Sequence, residues 1–248
     1  MAFPAFTLNL SRFRPLLALA AVGVAFISRA AESKAPDDRV RIVLVGDSTV
    51  AAKSGWGTAF AKLLGPGAEC FNEALGGRSS KSFRDEGAWE KAVAHKPAWV
   101  LIQFGHNDQP GKGPARETDP DTTYFANMAR YVDEARAAGA KPVLITSMAR
   151  RTFANGRIVT TLTPYVEAVK RVAAEKHVPL VDLHARSIEL VEKLGPEGMA
   201  EMEPPGKEPG SKDHTHLTER GGEMIAPLIV EELRKVAPDL ARLFAEAK

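Results

Sequence analysis

Four short polar blocks carry residue types that could together perform acyl transfer: Gly46-Asp47-Ser48-Thr49, Asn72-Glu73-Ala74-Leu75-Gly76-Gly77-Arg78-Ser79-Ser80, Gly105-His106-Asn107-Asp108, and Asp213-His214-Thr215-His216-Leu217. Acyl transfer needs a hydroxyl made nucleophilic by a base, an acid that orients the base, and donors for a developing oxyanion. Ser48 follows an apolar run, and the glycine before it allows a sharp turn. Asp213 and His216 are three apart, so one carboxylate can hold the imidazole by one nitrogen while the other faces a serine. Gly77 can offer a backbone N–H and Asn107 an amide, beside the N–H of Ser48 itself. Each block taken singly has an ordinary explanation: a helix cap for Ser48, a positive-φ turn for Gly77, an Asx turn for Asn107. Asp213 with His214 or His216 also resembles part of a metal site, but no third ligand follows at a recognisable spacing.

These blocks need elements that bring them together. From Arg39 onward, short β-branched runs alternate with longer amphipathic segments, the pattern of βαβ units and a parallel sheet. The runs predict strands over 40–46, 69–74, 98–105, 142–147 and 178–183, the first, third and fourth apolar nearly throughout, as expected when helices cover both faces. Helical spacing predicts helices over 57–64, 83–95, 122–138, 163–176 and 219–235, with Gly139 ending the third of them. The stretches 108–121 and 195–212, dense in Pro, Gly and charge, read as loops that could wall a cleft or simply connect. Three of the polar blocks then fall at the carboxyl ends of strands, where open α/β sheets bind ligands.

With the elements in place, the four blocks in this order resemble those of the SGNH (GDSL-like) hydrolase superfamily. NEALGGRSS over 72–80, QFGHNDQ over 103–109 and DHTHL over 213–217 are most similar to its rhamnogalacturonan acetylesterase group. The resemblance spans Val40 to about Lys235. It implies a three-layer α/β/α fold with a flavodoxin-like five-stranded parallel sheet. It also implies Ser48 as nucleophile, His216 as general base, Asp213 as its partner, and Ser48, Gly77 and Asn107 as the oxyanion hole. The substrate it implies is an acetylated pectic polysaccharide. Arg78, Arg150 and Arg151 follow the second and fourth strands and are candidates for contact with uronate carboxylates, or else solvated or ion-paired cations. Position 49 is Thr where the common motif has Leu, a departure from the lipase-like branch. Two alternatives are a lipid, thioester or general short-chain ester hydrolase of the same superfamily and a catalytically silent carbohydrate-binding protein. His106 and His214 receive no catalytic role.

Composition bounds the remaining possibilities. At 248 residues, 44% apolar and 26% charged, the chain suits one globular domain, expected over 31–248. Arg12 and Arg14 precede an apolar run from Pro15 to Ile27 and the triplet Ser28-Arg29-Ala30, the pattern of a signal peptide over 1–30. That run has 13 residues, against the ~20 of a spanning helix, so no stable membrane insertion is expected after cleavage and the destination is the periplasm or the medium. Without residues 1–30, Lys plus Arg falls from 33 to 30 against 31 Asp plus Glu, a net charge of −1, which argues against a nucleic-acid partner. The single cysteine, Cys70, excludes an internal disulfide. The loop after the first strand has Ala51 where a P-loop has Gly and lacks G-x-G-x-x-G, so neither a nucleotide nor any other cofactor is expected, and no metal.

Overall fold

The computed structural model describes residues 38–245, together with residues 1, 2 and 4. The chain divides into two units, Met1–Asp37 and Asp38–Lys248. The expected signal peptide lies outside the described residues.

Five strands form one parallel sheet: β1 (Val40–Gly46), β2 (Ala68–Asn72), β3 (Trp99–Gln103), β4 (Lys141–Ile145) and a two-residue β7 (Leu180–Val181), in the order β2-β1-β3-β4-β7. Between β4 and β7 lies a small antiparallel hairpin of β5 (Phe153–Ala154) and β6 (Arg157–Ile158). The period-two geometry of a strand sends alternate residues to opposite faces. Ile42, Leu44, Trp99, Leu101, Val143 and Ile145 accordingly enter one buried cluster, and Val43, Val45, Val100, Ile102 and Leu144 the other.

Helices cover both faces. On the first lie α1 (Gly57–Lys62), α6 (Leu183–Gly198) and α7 (Glu219–Val236), with the short α8 (Pro238–Ala241); Phe60, Val191, Ile225, Ile229 and Leu240 carry their apolar sides inward. On the second lie α3 (Ala88–Ala94), α4 (Thr123–Ala137) and α5 (Thr163–Lys176), contributing Trp89, Met128, Val132, Val169 and Val172. A one-turn α2 (Ser82–Asp85) precedes α3. The result is the expected three-layer α/β/α arrangement. Among the described residues, no helix is long and apolar enough to cross a membrane.

Four features differ from the sequence-based expectation. The helix expected over 83–95 is divided into α2 and α3 by Gly87, whose φ of 73° lies in the left-handed region. The last strand shrinks to two residues because Asp182 caps α6, its carboxylate accepting from Ala185 N at 3.2 Å. That helix was not anticipated, and it carries the chain into the supposed loop 195–212 before ending at Gly198, with a break at Gly195 (φ 66°, ψ 177°). The hairpin β5–β6 turns on Asn155-Gly156, both at positive φ.

Topology decides where the polar blocks meet. Strand β1 pairs with β2 on one side and β3 on the other, so the chain order reverses about it, and the crevice outside such a reversal is the ligand site of an open α/β sheet. Gly46 is in register with Gln103, so the turns after β1 and β3 emerge side by side.

Candidate active site

Ser48 stands on the turn that leaves β1, closed by Val50 N and Ala51 N donating to Asp47 O. A side chain at Gly46 has no room there: a Cβ would lie 2.5 Å from Val50 Cγ2 and 2.7 Å from the Gln103 carbonyl oxygen. The opposite member comes from the far end of the chain. Asp213 to His216 forms a single turn before α7, in which Asp213 Oδ1 accepts from Thr215 N (2.8 Å) and His216 N (3.0 Å). Asp213 Oδ2 sits 2.6 Å from His216 Nδ1, and His216 Nε2 sits 2.8 Å from Ser48 Oγ. The two turns are also tied by backbone: Leu217 N donates to Ser54 O, and Ser54 Oγ donates to Ser48 O. Burial pushes the Asp213 carboxyl up, but the His216 and Thr215 donors outweigh it and bring it down to about 2, so it is ionised and accepts the imidazole N–H.

The turns after β2 and β3 carry the donors expected for an oxyanion, Gly77 and Asn107. The turn after β2 lies against Ser48, for a Cβ on Gly76 would fall 3.6 Å from Ser48 Cβ, and Gly77 adopts φ 79°. Asn107 is buried, and its amide nitrogen donates to Arg78 O at 3.1 Å, which fixes the side chain and leaves its second N–H available.

The buried Asp108, given no role from sequence, joins these two turns. Its carboxylate accepts from Ser80 N, Ser80 Oγ (2.6 Å) and Thr118 Oγ1 (2.9 Å), while Tyr131 OH donates to Ser80 O and Tyr165 OH to Asp108 O. Burial pushes the Asp108 carboxyl up to about 7, against the pull of the Ser80 and Thr118 donors. Adjacent Asn-Asp and Ser-Ser pairs were the available signal. Next to Ser48 runs a second buried chain: Trp56 Nε1 donates to Gln103 Oε1, Gln103 Nε2 to Thr49 Oγ1, and Thr49 Oγ1 to Asp47 Oδ1. Thr49 thus departs from the common Leu because its hydroxyl links the strand-end Gln103 to Asp47. Burial raises the Asp47 carboxyl, but His106 and the Thr49 donors more than offset that and hold it below its usual value; His106 Nδ1 lies 3.6 Å from Asp47 Oδ2.

The three arginines part company. Arg150 is half-buried; its guanidinium donates to Gln109 Oε1, Thr161 Oγ1 and His106 O, and it lines an open cavity of about 670 Å³ with Gln109, Lys112, Thr161 and Tyr165. Arg78 points to solvent, donating to Glu86 Oε2 and Gly76 O, and its part in the site is the carbonyl that holds Asn107. Arg151 corrects the expectation: it is 2% exposed, bonded to Glu203 and to backbone of the 213–216 turn, and does not face the cleft. His214 is outside the Asp213–His216–Ser48 chain, with Nδ1 2.7 Å from Glu203 Oε1. Among the described residues no cluster of three or more His, Cys, Asp or Glu is arranged to hold a metal.

A doubly wound sheet with a serine, imidazole and carboxylate hydrogen-bonded in line at its switch point is the arrangement of serine-type hydrolases. The chain belongs to the GDSL-like lipase/acylhydrolase family, whose pattern matches residues 44–224. It is 37% identical over 214 residues to the rhamnogalacturonan acetylesterase RhgT of Bacillus subtilis, covering 79% of this chain and 90% of that protein. It is 27% identical to a rhamnogalacturonan acetylesterase of Emericella nidulans, covering 75% of this chain and 81% of that protein. Among solved structures, the acetylxylan esterase Axe2 of Geobacillus stearothermophilus superposes with a TM-score of 0.61 at 21% identity, covering 79% of this chain and 96% of that one, a likeness of fold. The protein is therefore a carboxylic ester hydrolase.

Proposed function

We infer that this protein is an exported serine esterase that removes O-acetyl groups from a pectic polysaccharide, with rhamnogalacturonan the leading substrate. The observation that carries the chemistry is the continuous Asp213–His216–Ser48 chain, at 2.6 and 2.8 Å. His216 Nε2 takes the Ser48 proton as Oγ attacks the acetyl carbon, and Asp213 stabilises the imidazolium that forms. The N–H groups of Ser48 and Gly77 and the Asn107 amide receive the oxyanion. The C–O bond to the sugar breaks as His216 returns the proton to the alcohol, and water, deprotonated by the same imidazole, then releases acetate from Ser48.

The substrate assignment is supported by the names of the relatives at 37% and 34% identity and by charge beside the site. Burial, followed by the nearby Arg150, Arg116 and Lys207 cations, lowers the Lys112 ammonium, so positive groups crowd the cavity that Lys112 and Arg150 line and would favour uronate carboxylates. The cavity is also open and edged by cations, unlike the apolar tunnel that a long acyl chain requires. Export is supported by the charged and apolar pattern of residues 1–30, and one domain over 31–248 by the single compact unit from Asp38 onward.

Acetate release from acetylated rhamnogalacturonan, homogalacturonan and xylan, measured beside Ser48→Ala, tests reaction and substrate together. The expected result is fastest release from rhamnogalacturonan and none above background from the variant. Equal release by Ser48→Ala rejects the nucleophile, and preference for xylan rejects the substrate.

A further inference from the structure

The catalytic turn 213–216 must hold two side chains to a fraction of an ångström, yet it is a single turn between a surface loop and α7. Its internal bonds run through Asp213 Oδ1 and occupy N–H groups only. The carbonyl oxygens on its other side are taken almost entirely by one residue. Arg151 Nη2 donates to Asp213 O (3.0 Å) and to His216 O (2.5 Å), and Arg151 N donates to His214 O (2.8 Å). Three of the four carbonyls in the turn are thus bonded to Arg151, which lies beyond the end of β4.

We propose that Arg151 is a positioning residue, whose guanidinium holds the Asp213 and His216 carbonyls and so fixes the turn in the orientation that points His216 Nε2 at Ser48. This rests on the reading of Ser48 as nucleophile. The guanidinium suits the task because its planar fork presents several donors in fixed directions, whereas an ammonium is a point charge. Its charge is neutralised in place: Glu203, almost wholly buried, accepts from Arg151 Nε at 3.2 Å and also lies 2.7 Å from His214 Nδ1. Glu203 sits at the neck of the loop that leads into the turn, where Asp213 N donates to Pro204 O and Thr218 N to Met202 O. An ion pair serving stability alone would need only Arg151 and Glu203; here every further bond of the arginine goes to the segment carrying the base and its partner.

Misplacement of a catalytic group by about 1 Å can cost ~10²-fold in rate, and that is the loss expected for Arg151→Ala. The test is the rate and final extent of Ser48 labelling by a neutral organophosphonate ester, followed by mass spectrometry. A folding defect lowers the final extent, whereas a misaimed base lowers the rate at full extent. Arg151→Ala is expected to reach the parent's extent ~10²-fold more slowly and to recover at least part of the rate with added guanidinium ion, which leaves the parent unaffected. Arg151→Lys, which keeps the charge against Glu203 and so guards against loss of the fold, is expected to stay slow because one ammonium cannot hold both carbonyls and the carboxylate. Labelling of either variant at the parent's rate overturns the proposal, as does a slowing fully accounted for by lost extent. An unlabelled parent overturns the nucleophile reading itself and takes the clamp with it.

Discussion

Replacing Asp213 with Asn exchanges one oxygen for an amide nitrogen, and the structure states what that exchange does. Oδ1 can remain the acceptor for Thr215 N and His216 N, so the turn is kept. The new NH2 then occupies the place of Oδ2, 2.6 Å from His216 Nδ1. Two donors cannot share that contact, so Nδ1 must become the acceptor and the ring proton must move to Nε2. Nε2 faces Ser48 Oγ at 2.8 Å, and once protonated it cannot take the serine proton. In serine triads this tautomer error costs ~10⁴ in kcat, or ~5.4 kcal/mol of barrier at ~1.36 kcal/mol per decade.

The effect on stability is far smaller. Lowering a carboxyl from the ordinary ~3.9 to about 2 corresponds to ~2.6 kcal/mol, and because the Asp213 side chain is 28% exposed, screening by solvent brings this to ~1 kcal/mol. A group whose folded pKa is depressed stabilises the fold above its ordinary pKa and loses that contribution as pH falls toward the folded value. The parent's advantage over Asp213→Asn should therefore be present near neutrality and fade between about pH 4 and pH 2. Stopped assays on a nitrophenyl acetate ester give kcat, and urea melts across that pH range give the stability. Turnover of Asp213→Asn within tenfold of the parent would refute the reasoning, because His216 would then not depend on its partner for its tautomer.

Three further outcomes follow from particular contacts. Asn107→Ala removes one oxyanion donor while leaving Ser48 and His216 in place, and kcat should fall by ~10²–10³; unchanged turnover removes Asn107 from the role. Arg150→Ala should raise KM several-fold on acetylated oligosaccharides that carry uronates and leave KM on neutral ones unchanged, whereas equal shifts on both would detach the cationic cavity from recognition. Burial pushes the Cys70 thiol up to about 12, so iodoacetamide should not modify the native protein at about pH 8 or reduce its activity; rapid alkylation with loss of turnover contradicts that environment.

The sheet was legible because β1, β3 and β4 are apolar runs with helices on both faces, and such runs carry their own assignment. The members of the site were legible because each follows a strand end or precedes α7, where spacing survives in the sequence. Strand β7 and helix α6 were less so: two apolar residues sufficed for the strand, and the Asp182 cap, the available sign of the helix start, lay inside the expected run. Asn155-Gly156 was an overlooked hairpin signal. Arg151 looked like a cleft residue because sequence shows that it follows a strand but not which way it turns; its burial depends on Glu203, which lies 52 positions away. Asp108 likewise takes its place only through Ser80 and Thr118, 28 and 10 positions away, and the adjacent Asn-Asp and Ser-Ser pairs mark the residues without showing that they meet.

Quenching the enzyme within milliseconds of mixing with an activated acetate ester, digesting it and weighing the peptides would ask where the acyl group rests. One acetyl group is expected on the peptide containing Ser48, accumulating before steady state and absent from Ser48→Ala. Acetate released at the full rate with the serine peptide never modified, or an acetyl group borne by another side chain at a kinetically competent rate, would contradict that expectation.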